Sequence, residues 1–271
     1  MSAERGGVRV PRSARAVTDQ WRQLASCAHA GGTAVQTTVE RFDPDAVLDQ
    51  PEVVRRWLGR ALAVGVPLGG AVQLRMHGQI RLGGEWRPFE ADQVIAPPHG
   101  YIWAATARIA GVPVTGFDRY SDDTAEMRWK LMGLLPVVTA SGPDVTRSAA
   151  GRLAAEIFLA PTAFASARWE ATGDRDVMAG SFSFPHGTER VELRVAADGQ
   201  VCSASMLRWG NPDDAPFGRY PFGAELSYSE TFPDGLTIPT TLRAGWGWGT
   251  DAWEAGEFFR ARIIDATLLE R

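Results

Sequence analysis

The chain has 271 residues, 45% of them hydrophobic and 22% charged, and 28 basic against 32 acidic side chains give a formal net charge of −4. That length supports a sizeable core, the lack of any 18-residue apolar run excludes a membrane-spanning helix, and the acidic balance argues against nucleic acid as a partner. With 29 glycines, 17 prolines and ten tryptophans, the composition points to many turns and strands rather than a helical bundle.

Residues 1–43 read as an appendage, partly disordered or helical. Val17, Trp21 and Leu24 are spaced for a helix over 11–30 that the Gly31-Gly32 pair would stop. From residue 44 to 271 a single domain is expected, because no linker interrupts the pattern. Asp49 reads as the cap of a helix over 50–64, with Pro51 in its first turn and Gly65 and Pro67 closing it; Val54, Trp57, Leu58, Ala61 and Leu62 share one face.

After Pro67 the apolar period falls from 3.6 to 2. Val72, Leu74, Met76, Ile80 and Leu82 alternate with Gln73, Arg75, His77, Gln79 and Arg81, and Gly83-Gly84 supplies a hairpin turn before a returning strand over 85–95. Further strands are expected over 101–109 and 112–120, and again around Met127, Trp129 and Leu131. A helix over 146–160, capped by Asp144 or Thr146 and ended by Pro161, separates this set from a second one with turns at Gly173, Pro185 and Gly199 and closing strands over 236–248 and 257–269. The sum is ten to twelve strands, two or three helices and no strand–helix–strand rhythm. The fold class is therefore α+β, mainly antiparallel β.

Signatures of catalysis are sparse. The chain has no GxxxxGK[ST] loop, HExxH, paired CxxC or GxSxG elbow, so neither a metal nor a cofactor is expected. His29, His77, His99 and His186 read as solvated. Cys27 and Cys202 stand far apart, and no apolar leader follows the early arginines, which together point to a reducing, cytoplasmic setting. In Gly245-Trp246-Gly247-Trp248-Gly249, strand alternation would put both tryptophans on one face and leave a bare glycine strip on the other, covered by a helix or, alternatively, a ligand.

Two constellations remain. Arg108, Asp118, Tyr120 and Glu156 could form a polar acid/base cluster or a structural ion pair joining helix to sheet. Trp103, Trp129, Phe158 and Trp169 sit in patterned elements and could line a cavity for an apolar ligand.

The series Pro51…Arg55-Arg56…Leu58…Ala61-Leu62…Gly65-Val66-Pro67, Gly78-Gln79-Ile80-Arg81, Trp86…Pro88-Phe89, Gly100…Trp103…Ala105, Asp118…Tyr120, Met127…Lys130…Gly133, Glu156…Pro161-Thr162-Ala163 and Ile238-Pro239-Thr240 resembles a bacterial domain-of-unknown-function family frequent in actinobacteria. That family's plan is similar to the LolA-like lipoprotein carriers. The resemblance implies a strongly curved antiparallel half-barrel wrapped on two or three helices around an apolar cavity, with a lipid-like or other apolar small molecule as partner. It implies no catalytic residue. An enzyme using the polar cluster and a structural or interaction module are the alternatives, and the oligomeric state is left open.

Overall fold

Among the described residues each strand pairs antiparallel with its neighbours in a single sheet, and the order of the strands follows from two meanders that meet in the middle. In the computed structural model, which describes residues 8–26 and 39–269, the first meander comprises β1 (Ala71–Leu82), β2 (Glu85–Ala96), β3 (Gly100–Ile109), β4 (Val112–Ser121), β5 (Thr124–Leu131) and β6 (Leu135–Ser141). The second comprises β7 (Arg168–Ala171), β8 (Val177–Phe184), β9 (Gly187–Val195), β10 (Val201–Gly210), β11 (Gly218–Thr231), β12 (Thr237–Trp246) and β13 (Glu257–Leu269). The order β6-β5-β4-β3-β2-β1-β13-β12-β11-β10-β9-β8-β7 joins the meanders through β1 and β13 and leaves β6 and β7 as edges.

Thirteen strands are one more than the upper expectation. The strand not expected is β6, whose side chains are nearly all exposed and show no alternation. Among the described residues three helices accompany the sheet, α1 (Thr18–Ala25), α2 (Glu52–Ala61) and α3 (Pro143–Ala155), with a four-residue turn of helix at Trp253–Gly256. Among the described residues, no helix is long and apolar enough to cross a membrane.

The sheet is strongly curved, and α3 shows why. This helix packs on β4, β5 and β6 and also on β9 and β10. Strands β5 and β10 stand eight places apart; at about 4.8 Å per strand a flat sheet would separate them by about 38 Å, far beyond a helix about 10 Å across. The sheet must therefore curl around α3. Small residues make the approach close: Ala149, Ala150 and Ala154 are buried, and a Cβ at Gly151 would stand only 3.3 Å from the Arg208 side chain and 3.5 Å from that of Met206 on β10.

The helices depart in detail from the sequence expectation. Residues 12–17 form a 3-10 turn and α1 ends at Ala25, while Cys27, His29 and the rest of the expected 11–30 helix lie outside the described residues. Asp49 does not cap α2; Pro51 occupies that position, and the helix spans Glu52–Ala61 rather than 50–64. For α3 the capping position is Gly142. Asp144 instead accepts from the Trp209 indole at 2.9 Å, and Thr146 Oγ1 accepts from the Ala125 backbone N–H at 3.2 Å. Beyond Ala155 the chain tightens into a 3-10 turn, Glu156–Leu159.

Residues 11–25 cover the convex face. Ala14, Val17, Trp21, Leu24 and Ala25 form a second, smaller core with Val94, Ala96, Ile102, Ala104 and Phe117 of β2, β3 and β4. This cover explains why β3 is buried on both sides over most of its length instead of alternating.

The Gly245–Gly249 run is not a bare strip under a helix. Strand β12 ends at Trp246, and Gly247 and Gly249 take positive φ in the turn that follows. A side chain at Gly245 would collide with the Gly256–Glu257 backbone. Trp246 packs against Phe222, whereas Trp248 lies over Gly223 and against Trp253. His186 is likewise not a solvated histidine. It stacks on Phe184, and its Nε2 stands 3.2 Å from Oε1 of Glu189, a buried carboxylate that Arg219 also holds.

Candidate functional site

Between the concave face and α3 lies a cavity of about 450 Å³. Most of its wall is apolar: Met76 and Ile80 of β1, Trp103 of β3, Phe222 of β11, Trp246 of β12 and Phe158 beyond α3 contribute. Strand parity puts them there. Ala91 and Ile95 face the interior of β2, and Val72, Leu74 and Met76 do so on β1, because side chains two apart share a face.

Parity also delivers polar groups into this apolar setting. Gln93 falls between Ala91 and Ile95 and is only 1% exposed. Its Nε2 donates to Glu156 Oε2 at 2.6 Å. Arg152 Nε donates to Glu156 Oε1 at 2.6 Å, and Arg152 Nη1 reaches Asp118 Oδ2 at 3.4 Å. The Trp129 indole donates to Asp118 Oδ1 at 2.8 Å. Arg152 also lies over the Tyr101 ring, 4.6 Å from its centroid.

Burial raises the Asp118 carboxyl above the usual carboxylate range, outweighing the lowering by Arg152 and by the Trp129 hydrogen bond. Burial pulls the Arg152 guanidinium down, but Glu156, Tyr101 and Asp118 together raise it overall. The arrangement is a partly buried ion network joining helix to sheet.

Arg208 is different. It shares a face of β10 with Ala204 and Met206 and enters the cavity wall, with its guanidinium over Phe222 at 4.7 Å and Trp246 at 5.3 Å. Nε and Nη2 donate to Ser148 O and Oγ at 3.1 and 3.3 Å. Burial lowers its pKa to about 10, so it stays charged at neutral pH.

Of the four residues proposed from sequence as a polar cluster, Asp118 and Glu156 meet through Arg152. Tyr120 donates to Asp123 Oδ1 at 3.0 Å and lines a separate hollow with Pro185 and His186. Arg108 points to solvent, because it has the opposite parity from Tyr101, Trp103, Ala105 and Ala107. Of the four proposed ligand contacts, Trp103 and Phe158 line the cavity. Trp129 sits behind Trp103, with ring centroids 5.6 Å apart. Trp169 lies elsewhere in the core, 5.2 Å from the Trp57 ring, with its indole donating to Phe164 O at 2.7 Å.

Sequence reasoning missed Gln93, Arg152 and Arg208. The signals were present: a glutamine and an arginine on the apolar parity of their strands, and an arginine four residues before Glu156 on one helix.

No curated protein matches the chain. Three solved structures are similar in backbone course. A putative outer membrane lipoprotein-sorting protein domain from Vibrio parahaemolyticus shares 8% identity, with 83% of this chain and 93% of that one covered and a TM-score of 0.47. A LolA superfamily protein from Nitrosomonas europaea shares 11%, covering 81% and 93%, with a TM-score of 0.46. A DUF1329 family protein from Desulfovibrio piger shares 13%, covering 84% and 94%, also at 0.46. The resemblance read from the sequence to a family without an assigned role is borne out at residues 40–258, and the chain belongs to the family of unknown function DUF6544.

Proposed function

We propose that the protein binds a hydrophobic or amphipathic small molecule between the curved sheet and α3. The observation that carries this reading is the cavity itself, which at about 450 Å³ falls within the roughly 300–1,000 Å³ common for small-molecule sites and has the same mostly apolar lining. Aromatic walls from Trp103, Phe222, Trp246 and Phe259 offer broad contact for a hydrocarbon chain. Native mass spectrometry of freshly purified protein, followed by titration with the neutral probe N-phenyl-1-naphthylamine, tests it. A co-purified apolar molecule, or saturable one-to-one probe binding, is the expected result; bare protein that also fails to bind the probe would sink the reading.

A separate observation favours a second reading, self-association through a sheet edge. Met132, Leu134, Leu135, Val137 and Val138 are all exposed at the β5–β6 hairpin, and β6 is an unpaired edge, although Pro136 interrupts its backbone donors. Sedimentation of the protein and of a Val137→Lys variant tests it: a dimer that the lysine dissolves supports this reading, and a monomer at every concentration removes it.

A further inference from the structure

We infer that Arg208 is an anion-binding group in the cavity, and that the ligand is a single-chain amphiphile carrying a carboxylate or phosphate head. The inference rests on the cavity-binding reading and adds a charge requirement to it.

Arg152 closes on Asp118 and Glu156, Arg219 on Glu189, and Arg243 on Glu225 and Glu257. Arg208 ion-pairs with no carboxylate among the described residues, yet it lies in a mostly apolar wall. Asp118 and Glu156 also line that wall, but Arg152, Trp129 and Gln93 already engage them. A guanidinium withdrawn from water without a counter-ion is costly, and an incoming anion offsets that cost.

The geometry is that of a held but unfinished donor. The Ser148 contacts fix Nε and Nη2, and Phe222 and Trp246 support the guanidinium. Nη1 is left with no acceptor among the described residues. A planar fork positioned in this way matches the oxygens of a carboxylate or phosphate better than a lysine would. A second donor on the cavity wall is also without a protein acceptor: the indole N–H of Trp103, a residue only 2% exposed. Beyond these donors and the Arg152 network the wall is mostly hydrocarbon and aromatic, with Met76, Ile80, Phe158, Phe222, Trp246 and Phe259, which suits a tail rather than a compact polar anion.

The test uses the full-length, delipidated protein loaded with N-phenyl-1-naphthylamine and displaced at neutral pH by palmitate, hexadecyl phosphate or hexadecanol. Either or both anions should displace the probe about ten-fold more tightly than the alcohol, the scale of one charge-assisted hydrogen-bond pair, and the stronger anion identifies the head. Arg208→Gln should remove the preference while leaving hexadecanol affinity in place, and Arg208→Lys should retain part of it. Should the glutamine variant fail to fold, the wild-type ratio and the lysine variant decide. Equal affinity for all three compounds, or a preference that survives Arg208→Gln, would overturn the inference while the cavity reading stands. If neither the probe nor any of the three compounds binds, both readings fail.

Discussion

Arg152 Nε donates to Glu156 Oε1 at 2.6 Å, one helical turn along the chain, while Nη1 of the same guanidinium reaches across to Asp118 of β4. One guanidinium thus bridges two carboxylates that both line the cavity. Arg152→Met would leave two acids in an apolar wall without their cation. Because the side chains retain 16–19% exposure, the expected loss is about 2–3 kcal/mol, toward the lower end for a broken buried pair. Urea unfolding measures it, and a loss below about 0.5 kcal/mol would show that water already solvates the network.

Asp118 has the opposite linkage from a typical salt-bridged acid. Its folded-state pKa is raised, chiefly by burial, above the ordinary 3.8. The native state therefore holds this proton more tightly than the unfolded state, so the residue's contribution to stability falls as pH rises from the unfolded pKa through the folded one. Asp118→Asn, which can still accept the Trp129 hydrogen bond, should gain stability relative to wild type as pH rises across that window. Thermal melts of both proteins along a pH series check the sign. A stability difference that does not change with pH would contradict the burial argument.

Glu257 provides the contrast. Its carboxylate accepts from Arg260 at 2.7 and 2.9 Å and from Arg243 at 3.0 and 2.9 Å. The Arg260 hydrogen bonds, opposed by burial and aided by Arg243, lower its pKa to about 2. This contribution is fully present above the unfolded value of 4.5 and is lost as pH falls toward about 2. Since both arginines are more than a third solvent-exposed, Glu257→Gln should cost about 1–2 kcal/mol at neutral pH after allowing for screening. The variant and wild type should converge in stability as pH falls to about 2.

Trp169 separates core from site. Trp169→Ala removes the contact with Trp57, the Phe164 hydrogen bond and the ring that covers Gly180. A loss of about 3–5 kcal/mol is expected. The fraction that remains folded should bind N-phenyl-1-naphthylamine as wild type does. Arg108→Ser, on the solvent face, should change stability by no more than about 0.5 kcal/mol and leave binding intact.

Much of the sheet was legible because alternation is a local property. Val72, Leu74 and Met76 against Gln73, Arg75 and His77 identify β1 without knowledge of its neighbours. The failures arise where tertiary context overrides the local signal. Asp49 and Asp144 look like caps, yet Pro51 and Gly142 hold those positions and Asp144 is drawn to Trp209. β3 hides its parity because residues 11–25 bury its outer face. Trp169 and Trp103 look alike in sequence, and only the curl of the sheet decides that one fills core and the other lines a cavity. The turn at Gly247, with its positive φ, splits two tryptophans that simple alternation places together.

Tryptophan fluorescence measures the central claim most directly, because Trp103 and Trp246 lie in the cavity wall. Titration of delipidated protein with a brominated long-chain acid, which quenches only indoles it touches, should give saturable quenching at one ligand per chain. The Trp103→Phe/Trp246→Phe double variant should lose most of that quenching while the other eight tryptophans, of ten in the chain, continue to fluoresce. Quenching that never saturates, or that is the same in the double variant, would contradict a ligand held between the curved sheet and α3.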